Sequence, residues 1–483
     1  MRCRLGLFGL SALLALVGIW SRELPSRDEP RVAGIAREMV MRSDYSLSRL
    51  NGALFLEYPP LGYWPMALAI ECTQSPKDLH VLFPVALIGI GTVGLTFLMG
   101  RILGGETVGL LAGCMLAMMA GFWSLHRRCL VDPVLLFFVT LSQYGFLAGY
   151  HDPKGRFRHF ALFYLGAACA CLSKGLVGLA IPLATAVAFL AIRRDWPAVR
   201  RMRPLCGLGL LALPLLLWAA AVWHENGVEV VREALRQSLW RLSSLEAPHA
   251  KPFHFYLVPI LVVLMPWPPL VLVGLWLRLG PRRIRQGLVP GREALFPALW
   301  FCVTFLGLSV ASAKRYIYLA PLFPAAALLA ALAWSRWREL LAPLRRLEPW
   351  VAMAAIPIFA AVHFLLLLPA DRRESLGPFF NIVAREKGES PVLLYIPSES
   401  LRGAAVFYLG QTVEESRDIK SLSAFLAEGS GRIVVAPCTE ESPSLPVEDG
   451  SKGLRLLGEK KQEHETLRAY RQRLDGDPVD AVR

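Results

Sequence analysis

The chain has 483 residues, of which 54% are hydrophobic and only 19% are charged, and its mean hydropathy is +0.44. This composition excludes an ordinary water-soluble enzyme and is typical of a protein that crosses a membrane many times. The net charge of +14 does not indicate nucleic acid, because the bases form short clusters between apolar runs and residues 371–483 carry more acids than bases, as the positive-inside rule predicts for cytoplasmic loops.

A membrane-spanning helix needs about 17–25 mostly apolar residues. Eleven apolar segments are candidates, and their approximate limits are 5–21, 79–100, 107–124, 131–150, 160–173, 175–192, 205–223, 254–277, 294–311, 316–334 and 350–369. The first follows Arg2 and Arg4 and resembles a signal peptide. Because no small-x-small cleavage pattern follows it, we expect a retained helix.

Charge predicts the topology of these eleven segments. The basic clusters occupy alternate loops, which places them in the cytoplasm and places the first polar loop (22–78) outside. The weakest point is Ser173-Lys174-Gly175, which interrupts one long apolar stretch with a charge. A single span there would put the densest basic clusters outside, so we predict two spans with a short outward break.

The first outer loop contains a predicted amphipathic helix. Its apolar residues follow an i, i+3, i+4, i+7, i+8 pattern, whereas Arg31, Glu38 and Arg42 lie mainly on the other side. Ser26 or Asp28 is the expected cap of this helix. The pattern favours a helix that lies along the membrane surface.

The tail from residue 371 differs in character. PVLLYI (391–396) and GRIVVAP (431–437) read as buried strands, and 400–409 and 420–428 read as helices. We therefore predict a helical membrane domain (1–370) and a small extracytoplasmic α/β domain (371–483). Beyond about residue 438 the sequence becomes polar, which favours partial disorder.

Ionisable residues collect on one face in this topology. They lie on or near the outer ends of the spans, where charge costs less than deeper in the bilayer: Asp28, Glu29, Glu57, Asp132, Lys174, Arg241, His249, Lys251, Lys314 and Arg315. A one-sided collection predicts a site at the outer surface, in which these side chains converge beside a groove for a lipid.

Six motifs occur in an order that resembles a known family. They are RDEPRVAGIAREMV, EYPPLGYW, VDPVLLFF, LSKGLVGLAIP, the PW of LMPWPPL, and SAKRYIYLAPLFP. Together they resemble the polyprenyl-phosphate-dependent membrane glycosyltransferases of the C-type fold. Two branches are similar: the bacterial aminoarabinose transferases that modify lipid A, and the dolichyl-phosphate-mannose protein mannosyltransferases. The α/β tail fits the first plan better.

The resemblance implies an all-helical polytopic enzyme with about 11 spans in a bacterial inner membrane and with its site facing outward. It implies transfer of one sugar, with inversion, from a polyprenyl-phosphate donor to a glycolipid or protein acceptor. Asp28 is the implied base or acceptor-orienting acid, and Asp132 and Glu57 match further acids of the family. Each acid has a simpler alternative, because Asp28 and Asp132 also suit helix caps and Glu57 also suits a solvated loop.

The resemblance also implies residues that hold the donor lipid. Lys174 matches a lysine in a KG motif, and Lys314 and Tyr318 match a K-x-x-x-Y-x-x-P pattern. One position departs from the aminoarabinose branch, whose lysine contacts the donor phosphate, because Tyr58 stands there. The positive charge that contacts the donor phosphate must then come from Arg241, Lys314, Arg315 or Lys174. For Lys314 and Arg315 the alternative role is anchoring to lipid headgroups.

No cofactor is required by this interpretation, although His249 beside Glu57 could hold an adventitious divalent cation. The nine cysteines show no ligand spacing, and neither do His224, His249 and His254 between the seventh and eighth segments. A lipid or sugar transporter is the main alternative function. It is less favoured because no internal repeat and no midplane charges are evident, and a non-catalytic scaffold would leave the acidic loop motif unexplained.

Overall fold

The computed structural model describes residues 2–25, 28–243, 250–279, 292–340, 346, 348–438, 454–461 and 466–472. The chain forms two compact units. Unit 1 comprises residues 1–19, 56–65 and 82–363, and unit 2 comprises residues 20–55, 66–81 and 364–483.

The described part of the chain is mainly helical. Its α-helices are α1 (Arg2–Leu16), α2 (Glu29–Arg42), α3 (Trp64–Thr73), α4 (Asp78–Ala117), α5 (Ala120–Leu125), α6 (Asp132–His151), α7 (Phe157–Lys174), α8 (Leu176–Arg193), α9 (Trp196–Met202), α10 (Pro204–Asn226), α11 (Val228–Ser243), α12 (Pro259–Val263), α13 (Pro268–Leu279), α14 (Leu295–Val310), α15 (Phe323–Leu340), α16 (Glu348–Ala361), α17 (Leu368–Glu374), α18 (Gly377–Lys387), α19 (Glu399–Leu409) and α20 (Ile419–Ala427).

Seven strands are present in the residues that the structure describes. They are β1 (Arg49–Leu50), β2 (Ala53–Leu54), β3 (Val392–Tyr395), β4 (Glu414–Ser416), β5 (Ile433–Cys438), β6 (Leu454–Lys461) and β7 (Thr466–Gln472). Single 3₁₀ turns at Pro60–Gly62 and Phe253–Leu257, a longer one at Tyr316–Leu322, and a π-helical turn at Val362–Leu367 connect or extend the α-helices.

Within the described residues, seven helices are long and apolar enough to cross a membrane, or eight if a bent pair counts as one span. The protein is therefore a multi-pass membrane protein, and the predicted count of eleven spans is not confirmed. The bent pair, Phe253–Val263 with Pro268–Trp276, turns by 119°. Helix α14 has only 16 residues, which is shorter than an average bilayer requires.

The expected breaks between apolar segments are present. Helix α4 is interrupted at Gly104 and Gly105, and Gly105 has a φ of 80°, so it contains the predicted second span and the start of the third. Gly175 has a φ of 81° and separates α7 from α8. A positive φ is strained for a residue with a side chain, so glycine allows the chain to turn directly after Lys174.

Unit 1 is held together by close helix contacts through small residues. Helices α6 and α7 approach so closely that a Cβ on Gly145 would lie 2.5 Å from the backbone nitrogen of Phe163. Helix α15 is buried throughout its alanine-rich run 325–333. Small residues let membrane helices pack backbone to backbone, because lipid provides no hydrophobic driving force between them.

Unit 2 contains a five-stranded sheet with the order β4-β3-β5-β7-β6. Strand β3 is parallel to both neighbours, with Leu393 opposite Glu414 and Val434. Strands β5 and β7, and β7 and β6, are antiparallel. The predicted strands and helices of the tail are confirmed. The prediction of fading structure after residue 438 is wrong for β6 and β7, whose polar alternation belongs to strands at one edge of the sheet.

The sheet has a core on each face, as the two-residue period of a strand requires. Val392 and Leu394 pack with Phe380 and Leu401 on one face. Their strand neighbours Leu393 and Tyr395 pack with Leu422 and Phe425 of α20 on the other. The sheet is thus a layered α/β structure with helices on both sides.

Helix α2 is present where the amphipathic pattern predicts it, but its surroundings differ from the prediction. Val32, Ile35, Ala36 and Met39 are buried inside unit 2, and Glu38 is buried with them. The apolar face packs on α19, where a Cβ on Gly34 would lie 2.5 Å from the carbonyl oxygen of Gly403. Protein therefore covers this face, because the pattern of a surface helix does not say which apolar surface lies against it. The predicted position of the helix along the membrane surface stays a prediction.

Candidate active site

A buried ion pair lies at the junction of α6, α7 and α8. The ammonium Nζ of Lys174 lies 2.5 Å from Oδ1 of Asp132, and the two side chains are 8% and 7% exposed. Asp132 is the first residue of α6, whereas Lys174 is the last residue of α7. Two charges in such a place stabilise one another only at close range, because burial removes their hydration.

Two tyrosine rings flank the Lys174 ammonium. Its Nζ lies 5.2 Å from the ring centroid of Tyr58 and 4.6 Å from that of Tyr318. A cation over an aromatic face is attracted by the ring quadrupole. The rings and the Asp132 carboxylate therefore hold one ammonium from several directions, and a lysine in place of Tyr58 would repel it.

The loop that carries Glu57 and Tyr58 is placed by a close backbone contact. A Cβ on Gly62 would lie 2.7 Å from the Ser173 carbonyl oxygen and 2.9 Å from Cβ of Val131. Ser173 precedes Lys174, and Val131 precedes Asp132. The absence of a side chain at Gly62 therefore brings the loop against both helix ends that carry the ion pair.

These residues line one pocket in unit 1. The cavity has a volume of about 120 Å³, and its polar lining consists of Glu57, Tyr58, Asp132, Lys174 and Tyr318. Apolar side chains such as Leu135, Leu176 and Leu308 complete the wall. A few charges converging in an apolar cavity are the usual pattern of a site that binds a small molecule or one end of a lipid.

A larger, nearly apolar cavity lies next to the 3₁₀ segment Tyr316–Leu322, which contains Tyr318 of the first pocket. Its volume is about 490 Å³, and it is lined by residues of α5, α12 and the segment 316–323, with Arg128 as its charged member. Nη1 of Arg128 donates to the Tyr316 hydroxyl over 3.0 Å. The segment Tyr316–Leu322 thus contributes Tyr318 to the first pocket and Tyr316 to the second.

Lys314 makes other contacts. Its side chain is buried, and its ammonium donates to the carbonyl oxygen of Lys251 over 2.9 Å and to that of Ala311. An antiparallel bridge between Ala250 and Ala313 ties the same two segments together. Burial lowers the pKa of Lys314. Arg315 is half-buried and directly precedes the 3₁₀ segment.

Two predicted residues are only partly covered by the structure. Arg241 lies in α11, and its side chain lies outside the described residues. His249, the residue to which we assigned an adventitious cation, also lies outside them. Within the described part of the chain, no group of three or more histidine, cysteine or acidic side chains is placed to hold a metal ion.

Asp28 lies in unit 2. It occupies the N-cap position of α2, but its side chain makes no capping hydrogen bond. Its Oδ1 instead accepts from Nη2 of Arg31 over 2.9 Å. The alternative that Asp28 only caps the helix is therefore not what the geometry shows. The predicted approach of Asp28 to the pocket residues stays a prediction.

The sequence did not reveal the network beside Asp28. Glu29 is fully buried and accepts two hydrogen bonds of 2.8 Å from Arg22. Arg22 also pairs with Asp371 over 3.0 Å. Burial lowers the pKa of Arg22, and these two carboxylates raise it. The net effect is an increase. Only the spacing of Arg22 from Glu29 could have signalled this network.

Two solved structures have a similar fold. The chain superposes on the crystal structure of ArnT from Cupriavidus metallidurans bound to undecaprenyl phosphate with a TM-score of 0.76, over 96% of this chain and 97% of that one, at 20% identity. The archaeal oligosaccharyltransferase AglB from Archaeoglobus fulgidus superposes with a TM-score of 0.52 at 12% identity, over 99% and 75% of the two chains. The fold is therefore the one that these two solved structures share.

Sequence comparison gives a more specific result. Residues 47–225 match the family described as dolichyl-phosphate-mannose-protein mannosyltransferase. The chain is 28% identical over 338 residues to the undecaprenyl phosphate-alpha-4-amino-4-deoxy-L-arabinose arabinosyl transferase of Edwardsiella ictaluri, over 68% of this chain and 59% of that protein. The match thus spans less than two thirds of that relative. The resemblance to the polyprenyl-phosphate-dependent glycosyltransferases is confirmed.

Proposed function

We propose that this protein transfers one sugar from a polyprenyl-phosphate donor to an acceptor on the outer side of a bacterial inner membrane. The observation that carries the proposal is the pocket in which the Asp132–Lys174 pair, Glu57 and two tyrosines meet within apolar walls. The Edwardsiella ictaluri relative is named as an arabinosyl transferase for undecaprenyl phosphate-alpha-4-amino-4-deoxy-L-arabinose, and a lipid-linked donor suits a charged pocket inside a membrane protein.

The reaction is a single displacement with inversion. An acceptor hydroxyl oxygen attacks the anomeric carbon, the bond from that carbon to the phosphate oxygen breaks, and polyprenyl phosphate leaves with the electron pair. We assign Asp28 as the group that orients the hydroxyl and accepts its proton. Its carboxylate does not cap α2 but lies beside the Arg31 guanidinium, which favours the ionised form that a base requires.

The donor phosphate needs positive charge. Lys174 is the cation of the pocket, but Asp132 neutralises it, so a further cation is required for a tightly bound phosphate. Arg315 and Arg241 are our candidates, since a guanidinium can hold phosphate through two hydrogen bonds. The apolar cavity beside Tyr316 offers space for the polyprenyl chain. Lipid A, another glycolipid and a protein all remain acceptors that this scheme allows.

The test uses the purified full-length chain in lipid bilayers, supplied with radiolabelled undecaprenyl-phospho-sugars and cell-envelope lipids. Asp28→Asn should lower transfer by about 10²–10⁴-fold, the usual contribution of a positioned acid or base. Glu71→Gln is the control, because Glu71 is an exposed acid of the same outer loop. Equal transfer by Asp28→Asn and wild type would remove Asp28 from the mechanism. Flux of lipid without transfer would favour the transporter.

A further inference from the structure

Arg31 is shared by two carboxylates that are far apart in the sequence. Its Nη2 donates to Oδ1 of Asp28 over 2.9 Å, and its Nη1 donates to Oε2 of Glu399 over 2.5 Å. Glu399 is the first residue of α19 in the C-terminal α/β part of unit 2. The planar guanidinium fixes the directions of its donors, so the position of Glu399 affects how Arg31 meets Asp28.

The surroundings restrict Arg31 further. Its side chain is only 11% exposed, and its guanidinium carbon lies 5.3 Å from the ring centroid of Phe55. A long side chain loses rotamer freedom when it is buried between such partners. Arg31 is therefore held in one orientation, and it presents one edge to Asp28.

The helix that begins after Asp28 is fastened to α19 along its length. Gly34 and Gly403 meet backbone to backbone, since a Cβ on Gly403 would lie 2.4 Å from Cα of Arg31. Further along, Arg37 donates to the carbonyl oxygen of Phe407. Beyond the helix, Asn51 exchanges hydrogen bonds of 2.8 Å with the backbone of Val413. The loop and α19 thus form one packed structure.

We propose that Arg31 and Glu399 are positioning residues for Asp28, so that the C-terminal α/β part of the chain orients the acidic group that acts in sugar transfer. This inference rests on the proposed function of Asp28. It gives the C-terminal domain a role in the reaction itself, through a chain of contacts from α19 to Glu399, to Arg31 and to the carboxylate.

The variants separate charge from geometry. Arg31→Gln removes the guanidinium, and we expect kcat to fall about 10–100-fold, because a misplaced catalytic group costs about that much. Arg31→Lys keeps the charge without the fork and should recover only part of the loss. Glu399→Gln removes the charge of one of the two carboxylates that hold Arg31, and a smaller loss of about 3–10-fold is expected. The substrates are the undecaprenyl-phospho-sugars and envelope lipids that support wild-type transfer.

The pH–rate profile distinguishes positioning from support of the fold. A neighbouring guanidinium favours an ionised carboxylate, so Arg31→Gln should move the acidic limb of kcat upward by about 1 pH unit. Glu399→Gln should act only through Arg31, so the double variant should lose no more activity than Arg31→Gln alone. Additive losses with an unmoved acidic limb would overturn the inference.

Glu428→Gln is the matched control. Glu428 pairs with Arg432 over 2.9 Å in the same α/β part, and its side chain is 65% exposed compared with 53% for Glu399. It should leave kcat and the pH profile unchanged. If Asp28→Asn abolishes transfer but the Arg31 and Glu399 variants behave like this control, the inference fails and the proposed function stands. If Asp28→Asn transfers normally, both fail.

Discussion

At the scale of the residue, the Asp132–Lys174 pair dominates the energetics of the pocket. Both side chains are more than nine-tenths buried, so each charge has exchanged its hydration for its partner and, in the case of Lys174, for two aromatic rings. Removing one partner from a buried pair leaves an uncompensated charge, whereas removing both leaves none. The pair is consequently a strong constraint on both helix ends.

We predict that Asp132→Asn destabilises the protein by about 3–5 kcal/mol, and that Asp132→Asn combined with Lys174→Met costs less than Asp132→Asn alone. Thermal unfolding in one detergent measures both. Glu229→Gln is the control, because the Glu229–Arg232 pair is largely exposed and should contribute at most about 1 kcal/mol. A double variant that is no more stable than Asp132→Asn would contradict the prediction.

Lys314 provides a pH test. Burial lowers the pKa of Lys314 in the folded state, whereas a lysine in the unfolded chain has a pKa of about 10.4. Between these two values the unfolded chain binds more protons, so the free energy of unfolding rises with pH. We predict that wild type gains stability relative to Lys314→Met as the pH increases toward about 10.4. Unfolding midpoints measure this gain. A stability difference between wild type and Lys314→Met that stays constant with pH would refute the prediction; a constant difference is expected for Lys77→Met, because Lys77 is exposed.

At the scale of the element, the contact between α2 and α19 explains why an amphipathic loop helix is buried. Two glycines allow the helices to meet backbone to backbone, which neither helix's own periodicity requires. Arg31, Glu38 and the apolar face are then all enclosed. The polar side of the helix is buried because it finds partners there, among them Arg42 for Glu38 at 2.8 Å.

Gly34→Ala tests this contact. In most helix interiors alanine stabilises relative to glycine by up to about 1 kcal/mol. Here the new Cβ would lie 2.5 Å from backbone, so we predict the opposite sign, a loss of about 1–3 kcal/mol from overpacking. Gly209→Ala in α10 is the control, because no heavy atom lies within 4 Å of that position. Equal unfolding midpoints for Gly34→Ala and wild type would show that the helices can separate at no cost.

At the scale of the whole molecule, charge asymmetry and apolar length predict the orientation of the chain in the membrane. The positive-inside rule puts the loop between α8 and α9 in the cytoplasm and the first polar loop outside. Two positions report on the two sides without disturbing the core, because Cys72 is exposed and Trp196 is 62% exposed.

We predict that the native Cys72 reacts with an impermeant thiol reagent added outside intact cells, and that Cys72→Ser removes this labelling. A cysteine in place of Trp196, in the Cys72→Ser background, should react only after the membrane is opened. Mass spectrometry of the labelled peptides reads both positions. If position 196 reacts from outside and Cys72 reacts only after the membrane is opened, the topology is inverted. The proposed site would then face the cytoplasm.

The sequence alone determined the local structure of this protein well. Apolar runs and their interruptions predicted a polytopic chain, the break after Lys174 and the first strands of the α/β tail, because these features depend on hydrophobic period and on residues within one or two turns. It also selected Glu57, Tyr58, Asp132, Lys174 and Tyr318, which the structure places around one pocket; their chemical roles stay predictions.

Only the tertiary structure decided which of these groups meet. Lys174 and Asp132 are 42 positions apart, and Arg31 and Glu399 are 368 apart. Lys314 turns to backbone carbonyls rather than to the pocket, and α2 packs on α19 rather than presenting its apolar face to lipid. Such choices follow from how remote surfaces fit and from which buried charge finds a partner, and neither is encoded in the period of any single segment.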